Sequence, residues 1–267
     1  MRDKCGTSPI RCSRATVPLP LPERLTDQKV CFVSTITWSL KFHLSPHIRK
    51  ISEKCRVTLV ADEVSSMDLD VFGPIVAIKS IPIKRRISML SDIATLFELW
   101  LFFMCEGFSC IHSIAPKAGL LAMLAATLAS VPVRFHTFTG QVWVTRTGLS
   151  RLFLMGMDWL IAQCATQILT DSLSQRDFLI ANRIVKPDKI TVLGIGSVVG
   201  VDTLRFAPNK SAREQVRINF GIGDSALVYI YVGRLNSEKG VSDLLQAFEI
   251  VSDQFLEAHL LLVGPDE

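Results

Sequence analysis

The residues of this chain best suited to handling an anion stand together in Gly233-Arg234-Leu235-Asn236-Ser237-Glu238-Lys239-Gly240. This segment follows the apolar run Leu227–Val232 and precedes an amphipathic stretch from Gly240 to Phe255. The pattern describes a loop between the carboxyl end of a buried strand and the start of a helix, where unpaired backbone N–H groups can meet a ligand. Arg234 can fork onto two phosphate oxygens, Lys239 adds a mobile point charge, and Gly233 and Gly240 permit close backbone approach. By themselves these residues fit a solvated basic turn equally well. A second group of polar residues closes apolar runs: Ser34 and Thr35 after Lys29–Val33, His112 in Ser109–Ser113, and His136 in Val133–Thr137. A histidine there can hydrogen-bond or exchange protons with a substrate, or can be a satisfied, partly buried side chain. Lys117 opens a helix behind Pro116. Thr139 and Gln141 lie in the loop Thr139–Trp143, and Arg85 and Arg86 extend the basic cluster begun by Lys84.

These positions share a rim only if the intervening elements alternate. They do. Short apolar runs at Lys29–Thr35, Arg56–Val60, Val76–Ile78, Ser109–Ser113, Val133–Thr137, Gln167–Thr170 and Ile190–Leu193 read as strands. Between them, Leu40–Glu53, Ser88–Glu106, Pro116–Ala129, Leu149–Ala165 and Ser172–Asn182 read as helices, with Ser172 as an N-cap and Pro46 tolerable only near a first turn. Alternation of this kind specifies a parallel sheet covered by helices, whose ligands sit at the carboxyl ends of the strands. After Gly194–Asp202 the pattern restarts. A polar linker with a short helix (Ala207–Ser225) leads to a strand, helix and strand unit ending at Val263. The expected organisation is a loose extension over 1–28, an α/β domain over 29–202, and a linker with a partial second α/β domain over 203–267.

Valine-Gly-Arg-Leu-x-x-x-Lys-Gly at 232–240, followed by an amphipathic helix and Leu-Leu-x-Val-Gly at 260–264, resembles the opening of the donor domain of glycosyltransferase family 4. Upstream segments resemble the bacterial polysaccharide and O-antigen members of that family. They are Ile111-His112-Ser113 with Pro116–Gly119, Arg134–Trp143, Asp171–Leu179, and Gly196–Asp202 with Arg205-Phe206. The resemblance implies a GT-B fold, with a complete N-terminal Rossmann-like acceptor domain and an incomplete C-terminal Rossmann-like donor domain. It implies retaining transfer from a nucleotide-sugar, UDP-linked, to a lipid-linked glycan acceptor. Arg234 and Lys239 would hold and neutralise the leaving diphosphate with Gly233 beside them, and His136 would face the reaction centre. His112, Lys117, Thr139 and Gln141 become acceptor-side candidates. No cofactor is implied, because the nucleotide-sugar is a substrate and no metal motif is present. Two departures stand out. Ser34-Thr35-Ile36-Thr37-Trp38 replaces the glycine-rich loop the family carries after its first strand. The family's pair of glutamates seven residues apart also has no counterpart before Glu267, so the chain is expected to be inactive or nearly so.

Bulk properties agree with a folded enzyme domain. Nearly half of the 267 residues are hydrophobic and net charge is only +4, far from the basic stripe of a nucleic-acid binder. Seven unpaired-looking cysteines, with no CxxC, suggest buried thiols of a cytosolic protein rather than a disulfide frame or a zinc site. No signal peptide is apparent, and the apolar stretches Ile87–Cys105 and Ala118–Val131 read as buried helices rather than membrane spans. The expected location is the cytoplasm, peripheral on the inner face of the plasma membrane. Two other readings stay open: a non-catalytic glycolipid- or partner-binding remnant of such an enzyme, and an unrelated Rossmann-like nucleotide enzyme, which would lack both GxGxxG and a Walker loop.

Overall fold

The computed structural model describes residues 28–62, 72, 76–84 and 88–265. The expected N-terminal extension lies outside the described residues apart from Gln28, as do Arg85, Arg86 and Glu267. The chain divides into two compact units between Gly200 and Val201.

The first unit alternates strand and helix: β1 (Lys29–Ile36), α1 (Thr37–Ser52), β2 (Arg56–Asp62), β3 (Val76–Ser80), α2 (Met89–Glu106), β4 (Cys110–Ile114), α3 (Pro116–Leu128), β5 (Val133–Phe138), α4 (Gly148–Cys164), β6 (Gln167–Thr170), α5 (Leu173–Ala181) and β7 (Ile190–Val192). All seven strands are parallel, in the order β3-β2-β1-β4-β5-β6-β7. The direction of winding reverses between β1 and β4. Right-handed crossovers therefore put α1 on one face of the sheet and α2 to α5 on the other. Two cores follow. Val30, Phe32, Val57 and Leu59 pack with Leu40, Leu44 and Ile48 of α1. Cys31, Val33, Ile111, Phe138 and Ile168 pack with residues of α2 to α5, such as Leu99, Phe103, Ala122, Ile161 and Leu179.

Local chemistry sets several boundaries. Ser172 accepts from the Gln175 amide at 3.1 Å and caps α5 as its type suggests. Gly107, at φ 64°, ends α2 in the left-handed conformation that costs glycine least. Two readings change. α1 begins at Thr37 rather than Leu40, and Pro46 lies in its interior, where it cannot return a hydrogen bond to the carbonyl of Phe42. α2 is buried on one side only: Thr95, Leu99 and Phe103 face the core, while Leu90, Ile93, Phe97 and Met104 are exposed. α3 is buried as expected, because its Ala and Gly positions let it sit closely on the sheet. Of the described cysteines, Cys31 is buried, Cys105 is exposed and none is bonded to another.

The second unit holds α6 (Lys210–Asn219), β8 (Val228–Val232), α7 (Val241–Gln254) and β9 (His259–Val263), with β8 and β9 forming a two-stranded parallel sheet. Among its described residues only Ile222 and Ala226 are buried.

Candidate functional site

Reversal of winding in an open parallel sheet leaves a crevice at the carboxyl ends of the two strands that flank it. Here these are β1 and β4, and the polar residues collect there. Ser34, at the end of β1, is fully buried and its hydroxyl has no partner. Ala115, between β4 and α3, has φ 75°, a conformation that costs a non-glycine residue on the order of 1–3 kcal/mol. On β5, beside β4, His136 is 1% exposed. Its Nδ1 shares a 2.8 Å hydrogen bond with Ser113 Oγ, and its Nε2 has no partner. The imidazole lies edge-on to Phe138 at 4.5 Å and beneath Gly119 of α3. A Cβ at residue 119 would lie 2.3 Å from His136 Cε1, so only glycine leaves room for the ring. Burial, helped by neighbouring His112, pushes the His136 pKa down to about 3. At neutral pH His136 is therefore an uncharged hydrogen-bonding group.

His112 does not join it. Register pairs His112 with Phe135, and Ser113 with His136, so the two histidines lie on opposite faces of the sheet. His112 lies beside Phe32 and Phe135, with ring centroids 5.3 Å and 5.9 Å away, and its Nε2 meets Thr137 Oγ1 at 2.8 Å. Its pKa falls to about 4 through burial and the nearby His47. It lines a cavity of about 390 Å³ under α1, together with Leu44, His47, Cys110 and Leu169. Lys117, at the start of α3, forms a 2.6 Å ion pair with Asp92 of α2.

The loop after β5 is held from below. Trp143 is 1% exposed, stacks on Phe178 at 5.3 Å, and donates from Nε1 to Asp158 Oδ2 at 2.8 Å. Burial raises the Asp158 pKa to about 6 despite that hydrogen bond. Thr139 is exposed. Gln141 Oε1 accepts from Gln175 Nε2 at 3.5 Å, while Gln141 Nε2 is buried and unpartnered. Gln175 Oε1 in turn accepts from the amide of Asp171, whose Oδ1 is also buried and unpartnered. Gly196, at φ 109°, brings the glycine-rich connection against the Asp171 carbonyl, which a Cβ would approach to 2.6 Å. Ser34 Oγ, His136 Nε2, Gln141 Nε2 and Asp171 Oδ1 thus leave four polar atoms near the carboxyl ends of β1, β5 and β6 unmatched by protein. Buried polar atoms are matched in most folds, and ligands or water commonly satisfy the exceptions.

Arg234, Lys239 and Gly233 belong to the second unit. The turn after β8 is fixed by backbone bonds from Gly233 N to Val263 O (2.9 Å) and from Leu235 N to Pro265 O (2.8 Å). Tyr231 Oη also donates to the Arg234 carbonyl at 3.0 Å. Gly264 passes so close to the Gly233 carbonyl that a Cβ would lie 1.7 Å from its oxygen. The Arg234 and Lys239 side chains are exposed, and Gly240 (φ 71°) precedes α7, whose first amides have no side-chain cap. Uncapped helix N–H groups beside two basic side chains make a place for an anion. Among the described residues no group of three or more His, Cys, Asp or Glu side chains could hold a metal ion. The sequence pointed to His136 but not to the glycine that admits it or to Asp158. The small residue in Pro116–Gly119 and the acid fifteen residues after Trp143 become legible only in three dimensions.

Residues 51–196 match the model of the glycosyl transferase 4-like domain. The capsular polysaccharide biosynthesis glycosyltransferase CapM of Staphylococcus aureus is 33% identical over 189 residues, 69% of this chain and 48% of that protein. The UDP-Gal:alpha-D-GlcNAc-diphosphoundecaprenol alpha-1,3-galactosyltransferase of Escherichia coli is 26% identical over 186 residues, 68% of this chain and 47% of that protein. The chain therefore spans about half the length of these curated relatives. In structure it resembles Anabaena Alr3699/HepE, solved with UDP and glucose, at a TM-score of 0.69 with 14% identity, over 90% of this chain and 62% of that one. It also resembles the UDP-GlcNAc 2-epimerase of Neisseria meningitidis, at a TM-score of 0.60 with 16% identity, over 90% and 66% respectively.

Proposed function

Since this chain belongs to the glycosyl transferase 4-like family, we propose that it supplies the acceptor domain and the opening of the donor domain of a retaining glycosyltransferase. The donor in this reading is a UDP-linked sugar. The acceptor is a lipid-linked glycan of surface-polysaccharide synthesis, met at the cytoplasmic face of a membrane. The functions of the CapM and galactosyltransferase relatives support this class of reaction. The observation that carries it is the set of four unmatched buried polar atoms near the carboxyl ends of β1, β5 and β6.

The chemistry asked of each residue follows from its surroundings. Arg234 and Lys239 supply fixed positive charge where the departing diphosphate gains negative charge, and the free amides of α7 add to it. No metal or cofactor is assigned, because these groups fill that role. His136, held neutral by burial, offers Nε2 for a hydrogen bond and is not a proton carrier near neutral pH. Gln141 Nε2 is an acceptor-side donor and Thr139 a hydroxyl beside it, with His112 and Lys117 as further acceptor-side groups. The two-stranded sheet of the second unit leaves Ile230 and Val232 exposed, and the 267 residues alone are expected to bind poorly and turn over little.

The test is Arg234→Ala in the full-length enzyme, with sugar transfer as the readout. Loss of a transition-state charge partner should raise the activation barrier by about 2–4 kcal/mol, roughly a 30- to 1,000-fold fall in kcat. Unchanged turnover would remove Arg234 from the mechanism.

A further inference from the structure

Ser113 and His136 face each other across the β4–β5 pair, in register and on the side of the sheet that α3 covers. Both side chains are buried. Their 2.8 Å hydrogen bond joins Ser113 Oγ to His136 Nδ1, and by chemistry either atom could supply the hydrogen. The direction matters, because a neutral imidazole carries one N–H: if Nδ1 has it, Nε2 is an acceptor, and if Nδ1 accepts, Nε2 is a donor.

A count of buried polar groups settles the direction. A buried hydroxyl has to place its hydrogen on an acceptor, and among the described residues Ser113 Oγ has no hydrogen-bond partner other than His136 Nδ1. With the proton on Nδ1, the Ser113 hydrogen and the Nε2 lone pair would both be buried and unmet. With Ser113 as donor, only the Nε2–H is unmet. One unmatched buried group costs less than two. A doubly protonated ring would again strand the Ser113 hydrogen, and would add a buried charge. Turning the ring over would set a carbon against the hydroxyl and leave it without an acceptor. Nor is the ring free to slide, since the Gly119 backbone lies against it and Phe138 meets it edge-on at 4.5 Å.

We propose that Ser113 is a positioning residue that fixes His136 as the Nε2–H tautomer, making His136 a hydrogen-bond donor to a sugar oxygen and not a base toward the attacking hydroxyl. A hydroxyl, ring or glycosidic oxygen can accept from that N–H, whereas an amino group in the same place would bring a second donor and be disfavoured. That the oxygen belongs to a sugar rests on the glycosyltransferase reading above. The tautomer rests only on the Ser113 geometry.

Imidazole nitrogen NMR of the isotope-labelled 267-residue chain at neutral pH tests the tautomer without any substrate. The His136 signals, identified by their loss in His136→Gln, should show a protonated Nε2 and an unprotonated Nδ1 shifted by an accepted hydrogen bond. In Ser113→Ala the Nδ1 signal should move to the position of an unbonded, unprotonated nitrogen, with circular dichroism checking the fold. Where that variant does not fold, Ser113→Cys replaces it, and its weaker donor should move the signal part of the way. A protonated Nδ1 in the unaltered chain overturns the proposal, and so does an Nδ1 signal indifferent to both substitutions. In the full-length enzyme, folded Ser113→Ala should lower kcat/KM for sugar transfer about five- to tenfold, the scale of one neutral hydrogen bond. Unchanged transfer overturns the positioning role. An unaltered full-length enzyme that transfers no sugar, with the Nε2–H tautomer present, defeats the glycosyltransferase reading instead and leaves the tautomer assignment standing.

Discussion

The two units use the same strand, turn and helix device to hold their candidate residues, but they differ in what lies behind it. In the first unit His136 is fixed by Ser113, Phe138 and the face of α3, on a seven-stranded sheet with a core on each face. In the second, Arg234 stands on a two-stranded sheet whose Ile230 and Val232 are 64% and 74% exposed. The turn itself is as well defined locally, since Gly264 and the Val263 and Pro265 carbonyls close on it. The difference teaches that hydrogen-bonded geometry and stability come from separate sources. A turn can be specified by a few backbone contacts, but two strands hold little free energy without a buried face.

Hydrogen exchange offers the widest measure of that contrast. Amides of β4 and β5 should exchange about two orders of magnitude more slowly than those of β8 and β9, because local opening of the second unit exposes little that was buried. Equal protection would break the comparison and imply that the second unit is covered by self-association. Acid titration comes next. The folded-state pKa of His136, about 3, lies below the ordinary 6.5. Its contribution is therefore complete above pH 6.5 and is lost as pH falls toward 3. His112, at about 4, adds to the loss with the same sign. Asp158 has the opposite sign: its raised pKa means that stability declines as pH rises from 3.8 to about 6. Chemical denaturation from pH 7 to pH 4 should show net destabilisation. Asp158→Asn should steepen that loss while keeping an oxygen for the Trp143 N–H.

Gly119→Ala gives a sharper local comparison with Gly233→Ala. The first places a methyl against a ring that has nowhere to move, 2.3 Å from His136 Cε1, and should cost about 2–3 kcal/mol in thermal or denaturant unfolding. The second meets only the end of the Tyr231 side chain, 2.9 Å from its hydroxyl, and should cost less than about 1 kcal/mol. Combining Gly119→Ala with His136→Ala should be less damaging than the sum of the two, since the clash and the ring vanish together.

Much of this was legible in the sequence, and the reason is periodicity. Every strand and helix of the first unit was visible as an apolar run or an amphipathic stretch, and the Ser172 cap was visible from residue type alone. What escaped were properties that depend on neighbours distant in sequence. His112 and His136 both end strands, yet the pairing of β4 with β5 puts them on opposite faces, and no run of residues encodes that offset. α2 and α3 are both apolar and were expected to be equally buried. The small residues of α3 allow it to seat against the sheet, whereas α2, with large residues all round, buries one side and leaves the other outward. Asp158 was unremarkable until Trp143 was found above it. The turn at Arg234 was the most legible element of the second unit, because a strand, a glycine-flanked turn and a helix are set by residue types in a fixed local order, while the cover its strands need is not local.

The smallest test separates a property the units share from the one they do not. Ser172 caps α5 in the first unit and Asn209 caps α6 in the second, accepting from Gln175 N at 3.1 Å and Ala212 N at 3.0 Å. Each cap satisfies one otherwise open amide, so Ser172→Ala and Asn209→Ala should each remove about 1 kcal/mol from its own helix. The loss at Ser172 should appear in full as lower global stability, because α5 is packed into the core through Leu179. The loss at Asn209 should instead appear as faster exchange of α6 amides with little change in the main unfolding transition, since α6 has no buried residue. If both lowered the same transition by the same amount, the two units would unfold as one, and the separation on which the comparison rests would fail.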